Sequence, residues 1–305
     1  LYGSQIHPAR KEISNLANQL AEEEPVYIYC NSQDIKDCRL TVSNQKISII
    51  EVNLDDSWMR DIAPIFYKEK QQLKSINFNF NGYGKYPNYK NDNLLSDIIC
   101  DQFKIPYKNS SITLEGGGIT YDDQGNLFTT ESVLLNSNRN NLSKQFLEEE
   151  LKKQFSLKNV IWLKEGLFGD DTDGHIDNIF CPIGNDQYLI ASTKDNTSKN
   201  YYILQEAKEL VEEYLSRLNP KIEIIEIPLP GEIEIDNKVL VASYINFYFC
   251  KNSLLVPKFN VDEDLEVYDI FQSLFPSKKI KMIETSNINY GGGNIHCVTM
   301  NMPKI

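Results

Sequence analysis

The chain has 305 residues, of which 41% are hydrophobic and 24% are charged, so it is long enough to bury a sizeable core. Its 31 basic and 43 acidic residues give a formal net charge of −12, which argues against a nucleic-acid-binding protein. No apolar run in the sequence is long enough to span a membrane. The six cysteines are scattered and form no CxxC pair, so we expect reduced thiols in a cytoplasmic protein.

The helical spacing of apolar residues predicts amphipathic helices at 8–23, 91–103, 143–155, 200–218 and 262–275. Ser143 is placed to cap the third of them. Short apolar, β-branched runs between the helices predict strands at 25–30, 159–163, 221–227 and 239–250. Because strands and helices alternate along the chain, we expect an α/β fold.

One polar position stands out in each fifth of the chain. The spacings between these positions are 54, 60, 71 and 51 residues, close to the 61 residues of one fifth. A quasi-repeat of this length predicts five similar β-β-α-β units. If the units close around one axis, each unit brings one polar position to a shared centre. The positions are Asp61, Glu115, His175, Asn246 and Cys297.

Cys297 follows a run of three glycines at 291–293. A free cysteine is often a small buried core residue, but a core strand gains nothing from three glycines, which allow a ligand to approach the backbone. The residues after the glycines are predicted to form a strand, in which His296 and Cys297 would point to opposite faces. A nucleophilic Cys297 would then need an acid-base partner from elsewhere in the chain.

His175 and Asp177 lie in a polar segment that leads directly into an apolar run. On a strand, residues two positions apart face the same side, so we expect the two side chains to lie together. A carboxylate beside a histidine favours the imidazolium and suits general acid-base catalysis. The alternative interpretation is a histidine held in a polar surface loop.

Two further carboxylates lie in distinctive motifs. Glu115 precedes three glycines, so it either lines a surface turn or points into a cavity. A phosphate-binding loop is excluded because the chain lacks the GxxxxGK[ST] pattern, and an anion would meet Glu115 unfavourably. Trp58 and Asp61 can form an aromatic wall and a carboxylate for a flat cation, or equally a core tryptophan and a capped turn.

These residue types together favour a guanidinium ligand. The sequence shows no Cys/His spacing typical of a zinc site. A thiol protease would also use cysteine and histidine, but a neutral amide carbonyl has no use for several carboxylates. A guanidinium is planar, cationic and rich in N–H donors, so carboxylates bind it bidentately.

With these residues the chain resembles the agmatine deiminases of the guanidine-modifying pentein superfamily, which also contains bacterial peptidylarginine deiminases and arginine deiminases. The matching motifs occur in the family's order and cover nearly the whole chain. Each motif alone is weak, but together they are specific. They are Trp58-Met59-Arg60-Asp61, Leu114-Glu115-Gly116-Gly117, Asn138-Arg139-Asn140, Gly174-His175-Ile176-Asp177-Asn178, Ser243-Tyr244-Ile245-Asn246-Phe247-Tyr248 and Gly291-Gly292-Gly293-Asn294-Ile295-His296-Cys297.

The resemblance implies a five-bladed α/β propeller, with residues 1–305 forming one catalytic domain and the site at its centre. The family begins with a further strand-bearing segment, which we expect to be missing before residue 1. The implied reaction converts agmatine and water to N-carbamoylputrescine and ammonia, without a metal or an organic cofactor. The alternatives are deimination of peptidyl-arginine or free arginine and, from another class, a non-catalytic propeller that binds a guanidine.

The resemblance also assigns roles to individual residues. Cys297 would attack the guanidinium carbon, and His175 would protonate the departing ammonia and then activate water. Asp61 and Asp177 would hold the guanidinium nitrogens. Glu115 would orient His175 and help to fix the cation, and Trp58 would line the channel for the alkyl stem. The implied partner is a small cationic guanidine, with no nucleic acid and no membrane, and homo-oligomerisation is a family-level expectation.

Overall fold

The computed structural model describes residues 2–304, within which the chain forms nine α-helices and sixteen β-strands. The helices are α1 (Ile6–Ala21), α2 (Ile35–Thr41), α3 (Met59–Ile62), α4 (Asp92–Phe103), α5 (Glu131–Leu134), α6 (Lys144–Phe155), α7 (Asn200–Leu218), α8 (Glu263–Leu274) and α9 (Ser286–Tyr290). None of the helices within residues 2–304 combines the length and apolar character needed to cross a bilayer.

The first eight strands are β1 (Val26–Cys30), β2 (Ile47–Glu51), β3 (Ile65–Glu69), β4 (Gln72–Asn79), β5 (Tyr107–Thr113), β6 (Ile119–Tyr121), β7 (Asn126–Thr130) and β8 (Asn159–Leu163). The other eight are β9 (Phe180–Gly184), β10 (Gln187–Ser192), β11 (Glu223–Pro228), β12 (Glu234–Ile235), β13 (Lys238–Val239), β14 (Tyr248–Phe249), β15 (Ser253–Lys258) and β16 (Lys279–Glu284).

Four three-stranded sheets repeat one connection. In each sheet the first two strands are antiparallel, and the third strand is parallel to the second after a helical crossover. The sheets are β3-β4-β5, β6-β7-β8, β9-β10-β11 and β14-β15-β16. The parallel pair β1-β2, joined through α2, repeats only the second half of this pattern. The protein is therefore an α/β protein built from separate small sheets, and none of the sheets in the described chain closes on itself.

Local sequence explains the hairpins that open these units. The two-residue turns between β3 and β4 and between β9 and β10 have positive φ at both positions, at Lys70-Gln71 and Asn185-Asp186. This is the backbone of a type I′ turn, whose twist matches that of the flanking strands. Asn and Asp tolerate the left-handed region well, so the second turn suits its sequence.

The crossover helices cover the parallel strands. Helix α7 contacts β8 and β10 through residues spaced three and four apart, which is the apolar stripe expected of an amphipathic helix. The buried residues of this stripe are Leu204, Ala207, Val211 and Leu215. Each fully buried leucine or valine contributes roughly 2 kcal/mol through removal of apolar surface from water.

All five predicted helices are confirmed. Helices α4, α6, α7 and α8 begin and end within one residue of the predicted bounds, and α1 begins and ends two residues early. Ser143 caps α6, because its hydroxyl oxygen accepts a hydrogen bond from the Phe146 N–H at 3.2 Å. The short helices α2, α3, α5 and α9 were not predicted, since one or two turns leave little periodicity to detect.

The predicted strand at 239–250 is wrong. Only Lys238–Val239 and Tyr248–Phe249 are strand, and residues 240–247 lie outside any sheet. The backbone of this segment pairs with the end of the chain instead: the Asn246 carbonyl accepts the His296 N–H at 3.2 Å. The apolar residues there are buried in the core rather than on a strand.

The five polar positions lie in equivalent connections. Asp61 lies between β2 and β3, Glu115 between β5 and β6, His175 between β8 and β9, Asn246 between β13 and β14, and Cys297 after β16. Each follows the last strand of one unit and, for the first four, precedes the first strand of the next. The spacing of the polar positions in the sequence therefore corresponds to the repeated sheets of the fold.

Helix α1 fixes the segment that leads to Cys297. The buried Glu12 carboxylate accepts hydrogen bonds at the first turn of α9, from the N–H groups of Asn287 at 3.0 Å and Ile288 at 2.8 Å, and from the Asn287 side chain at 2.5 Å. The backbone donors are ones that a helix start leaves unpaired. Glu12 thus connects the first α-helix of the chain to the last.

We expect the substitution E12A to destabilise the protein by about 2 kcal/mol, because buried donors lose a charged acceptor. The measurement is a urea titration followed by circular dichroism, in which the midpoint should fall while the m-value stays unchanged. The exposed neighbour substitution K11A is the matched control and should change the unfolding free energy little. An E12A midpoint equal to that of K11A would contradict the assigned role.

Candidate active site

Two of the predicted carboxylates flank the predicted imidazole. His175 Nδ1 lies 3.8 Å from Asp61 Oδ1, and His175 Nε2 lies 3.6 Å from Glu115 Oε2. All three side chains are buried. The structure therefore brings together residues that are separated by up to 114 positions in the sequence.

Asp61 is held on both oxygens. Its Oδ1 accepts the Gly117 N–H and its Oδ2 accepts the Tyr83 hydroxyl, each at 2.9 Å. Burial raises the pKa of Asp61 to about 6, although the nearby His175 charge acts in the opposite direction. Gly117 has no room for a side chain, since a Cβ there would lie 2.6 Å from His175 Nδ1.

Glu115 is the most enclosed of the carboxylates. Its Oε1 accepts the Arg139 Nε–H at 2.6 Å, while its Oε2 has no hydrogen-bond partner among the described residues. Burial alone would raise the pKa of Glu115, but the nearby His175 and Arg139 outweigh burial and lower it. Glu115 is therefore an anion whose second oxygen makes no hydrogen bond among the described residues and faces His175 Nε2 at 3.6 Å.

His175 is an imidazolium at neutral pH. Burial would lower the pKa of His175, but Asp61, Glu115 and Asp177 outweigh burial and raise it to about 9. Its buried Nε2 has no hydrogen-bond partner within residues 2–304. The imidazolium can thus donate a proton from Nε2 to a ligand atom beside Glu115.

The predicted strand containing His175 and Asp177 is wrong. His175 precedes a one-turn 3₁₀ helix, Ile176–Asn178, and β9 begins only at Phe180. The two side chains nevertheless reach the same centre, because a tight turn brings neighbours together as well as a strand does. The predicted proximity of His175 and Asp177 is therefore observed, but it results from a turn and not from a strand.

Asp177 is held by a histidine that the sequence did not identify as a site residue. His296 Nδ1 lies 2.7 Å from Asp177 Oδ2, and Asp177 Oδ1 has no partner among the described residues. Burial alone would raise the pKa of Asp177, but the contact with His296 outweighs burial and lowers it. Burial and the Arg60 charge lower the pKa of His296, so the neutral ring donates from Nδ1.

Cys297 lies near the same Asp177 oxygen that His296 contacts. Its Sγ is 3.7 Å from Asp177 Oδ2 and 3.2 Å from the Asn246 side-chain amide, which donates to it. Burial, together with the charges of Asp177 and Asp61, raises the pKa of Cys297 well above its ordinary value. The resting residue is therefore a thiol.

The predicted strand after the glycine run is also wrong. Residues 294–299 form turns, with Val298 N–H bonded to the Asn294 carbonyl at 3.1 Å and Thr299 N–H bonded to the His296 carbonyl at 3.1 Å. In this turn His296 and Cys297 do not point to opposite faces. Both approach the same Asp177 oxygen.

Trp58 closes the site above Cys297. It is buried, and a Cβ on Gly293 would lie 2.5 Å from its ring and 2.8 Å from Cys297 Cβ, so only glycine fits there. A narrow cavity of about 20 Å³ lies beside it. Asp56 and Asp171 are among its lining residues, and none of the described residues that line it is Lys or Arg.

Sequence reasoning missed the residues that support these side chains. Arg139 was recognised only as part of a motif, Asn246 only as a polar position, and the contacts of Tyr83 and His296 were not anticipated. Each acts through a partner at least 22 residues away, so the sequence carries no local signal for it.

Within residues 2–304, no group of three or more His, Cys, Asp or Glu side chains is placed to hold a metal ion.

Comparisons with known proteins show which family the chain belongs to. A family model described as Porphyromonas-type peptidyl-arginine deiminase matches residues 2–303. The agmatine deiminases of Pseudomonas aeruginosa and Ectopseudomonas mendocina are 31% and 30% identical to the chain, and each alignment covers 97% of this chain and 88% of the relative.

Solved structures show the same likeness. The agmatine deiminase of Enterococcus faecalis has a TM-score of 0.93 at 26% identity, with 97% of this chain and 88% of that chain covered. A cysteine-to-serine variant of the C. jejuni agmatine deiminase with substrate bound has a TM-score of 0.89 at 26% identity and the same coverage. The resemblance inferred from the motifs is confirmed, and the chain belongs to the family of Porphyromonas-type peptidyl-arginine deiminases and agmatine deiminases.

Proposed function

We propose that the protein is an agmatine deiminase, which hydrolyses the guanidinium of agmatine to N-carbamoylputrescine and ammonia. The observation that carries this proposal is the clustering of one thiol, one imidazolium and three buried carboxylates. Cys297, His175 and Asp61 line a narrow cavity. Glu115 lies 3.6 Å from His175, and Asp177 lies 3.7 Å from Cys297. A module that only binds a guanidine has no need of the thiol and the imidazolium. The names of the matched relatives and structures support the same reaction.

The carboxylates fit the cation. Glu115 Oε2 and Asp177 Oδ1 are buried acceptors that make no hydrogen bond among the described residues. A guanidinium carries five N–H donors in one plane when it is monosubstituted, so it can satisfy acceptors on two or three carboxylates at once. Its positive charge also offsets the cost of burying these anions.

Binding of the cation activates the thiol. The charges of Asp177 and Asp61 hold the proton on Cys297, and a guanidinium between them reverses the local potential. The thiol proton is released to solvent, and the thiolate, which accepts a hydrogen bond from Asn246, attacks the guanidinium carbon.

His175 then transfers the protons. It donates its proton to the departing nitrogen, the C–N bond breaks, and ammonia leaves a thiouronium on Cys297. Neutral His175 next takes a proton from water, which attacks the same carbon. The C–S bond breaks, the proton of the added hydroxyl passes to the Cys297 sulfur, and the neutral ureido product leaves the resting thiol. Glu115 orients the imidazole through these steps, and Trp58 lines the path of the alkyl stem.

The cavity favours agmatine over free arginine. Asp56 and Asp171 line it, and no described lining residue offers a cation to an α-carboxylate. Agmatine carries an amine in place of the amino-acid end, so the acidic lining attracts it and disfavours arginine. The family model's description names peptidyl-arginine, which makes a peptide substrate the second candidate to test.

We also infer that the repeated units are arranged as a five-bladed α/β propeller that forms one catalytic domain. The four repeated sheets, the parallel pair β1-β2 and the convergence of five equivalent connections support this arrangement. A cytoplasmic location is an expectation from the sequence, and homo-oligomerisation is an expectation from the family resemblance.

The first test is a substrate panel of agmatine, free arginine and a peptide with an internal arginine, assayed for ureido product. We expect turnover of agmatine and at least a tenfold lower kcat/KM for the other two substrates, which corresponds to roughly 1.4 kcal/mol. The α-carboxylate of free arginine is repelled by the acidic lining of the cavity, and the peptide lacks the terminal amine that this lining attracts. Turnover of the peptide alone would assign the second candidate, and turnover of none would contradict a deiminase.

The covalent route is tested by the substitution C297A, which removes the nucleophile. We expect turnover to fall by roughly 10⁴-fold or more while the circular dichroism spectrum is unchanged. The control C38A alters a thiol outside the site and should keep full activity. Retained activity in C297A would exclude the thiouronium intermediate.

The pH dependence follows from the protonation states of the empty site. The pKa of His175 is about 9, and the pKa of the Cys297 thiol is higher still. At neutral pH the free enzyme therefore holds one proton more than the reactive thiolate–imidazolium pair. We therefore expect kcat/KM to rise about tenfold per pH unit and to level off near pH 9, with a further loss below about pH 6 as Asp61 is protonated. A flat profile between pH 6 and 9 would contradict these assignments.

A further inference from the structure

We infer that Tyr83 is a positioning residue for the deimination, whose hydroxyl holds the Asp61 carboxylate in the orientation and charge state that bind the guanidinium. The inference rests on the proposed function. Tyr83 belongs to the segment Gly82-Tyr83-Gly84, whose glycines suggest a phosphate loop but whose spacing excludes one. The proposed mechanism leaves this segment without a role.

The contact itself is short and enclosed. The Tyr83 hydroxyl donates to Asp61 Oδ2 at 2.9 Å, and both residues are at most 7% exposed. The other Asp61 oxygen accepts the Gly117 N–H, so the carboxylate is fixed from two directions. With both oxygens held, the plane of the carboxylate is set before a substrate enters the site.

The loop around Tyr83 is built to hold this side chain in place. Gly82, Tyr83 and Gly84 all have positive φ, at 65°, 60° and 67°. A tyrosine in this region is uncommon and persists only where its surroundings fix it. A Cβ on Gly84 would lie 2.4 Å from the Asn138 carbonyl oxygen, so the loop packs directly on the neighbouring connection.

The ring of Tyr83 is fixed as well as its hydroxyl. It packs edge-on against Phe80 at 5.1 Å between centroids, and the Arg139 guanidinium lies 5.7 Å from the ring centroid. Arg139 is the residue that holds Glu115. One aromatic side chain therefore contacts Asp61 directly and the residue that supports Glu115.

The chemistry fits a donor that keeps its proton. Burial and the Asp61 charge raise the pKa of Tyr83 well above its ordinary value, so the hydroxyl stays protonated and donates. A hydrogen bond to the charged form of a carboxyl lowers its pKa. The charged and titratable groups that face this pair are Asp56, Arg60, Tyr86, Glu115, Arg139, His175, Asp177 and Cys297. In the described part of the chain, none of these groups donates a hydrogen bond to Asp61 Oδ2.

The first experiment compares Y83F with the wild-type enzyme. Loss of a hydrogen bond to a charged group should lower kcat/KM for agmatine roughly tenfold. The matched control is Y89F, which removes a hydroxyl from a residue that packs on the same loop and whose hydroxyl makes no hydrogen bond within residues 2–304. We expect Y89F to keep wild-type kinetics. An unchanged kcat/KM in Y83F would overturn the inference.

The second experiment separates positioning from a general structural effect. In the inactive C297A protein, agmatine binding is measured by calorimetry between pH 5 and 8. The affinity should weaken as the pH falls through the Asp61 transition near pH 6. Adding Y83F should raise the midpoint of this transition by roughly one pH unit. A weaker affinity with an unshifted midpoint would overturn the inference.

A double-mutant cycle assigns the effect to Asp61. In the C297A/D61N background, Y83F should no longer change the affinity for agmatine, since the carboxylate on which it acts is absent. A persisting tenfold loss would show that Tyr83 does not act through Asp61. Failure of the proposed function is distinct from these outcomes, because then the wild-type enzyme would not turn over agmatine and C297A would not bind it.

Discussion

The structure depends on the burial of three carboxylates around one imidazolium. An unpaired buried charge costs roughly several kcal/mol, so each carboxylate needs donors from the protein. Arg139 supplies them to Glu115, His296 to Asp177, and a backbone N–H and a tyrosine to Asp61. In Glu115 and Asp177 the donors satisfy one oxygen and leave the other free among the described residues. The same arrangement that makes the burial tolerable therefore leaves acceptors for a cation.

The repeated fold is what allows these anions to meet. A connection that leaves the last strand of a unit must return to the first strand of the next, so equivalent connections from several units lie at equivalent places. Four of the polar positions occupy such connections. A surface loop could not bury a carboxylate, because it would remain accessible to water. Convergence at the ends of several small sheets instead excludes water and strengthens every electrostatic interaction in the site.

The sequence predicted the parts of this arrangement that have local signals. Long amphipathic helices such as α7 show in the spacing of their apolar residues, and Asp61, Glu115, His175, Asp177 and Cys297 were marked by unusual polar or glycine-rich neighbours. The segments 240–247 and 294–299 have the apolar residues of strands but do not belong to a sheet. Their backbone hydrogen bonds are made with each other or within turns, which the residue types alone do not indicate. Supporting residues such as Arg139 are defined only by partners distant in sequence.

The charge of the site also explains how a turnover can end. In the proposed mechanism, the carboxylates attract a guanidinium and, once it is bound, cease to hold the proton on Cys297, so binding and activation of the nucleophile are one electrostatic event. Hydrolysis replaces the guanidinium with a neutral ureido group, which no longer offsets the charge of Asp61 and Asp177. Those charges again favour the protonated thiol and no longer hold the reacted end of the ligand. The empty site thus recovers its resting thiol, and the neutral product has lost the interaction that bound the substrate.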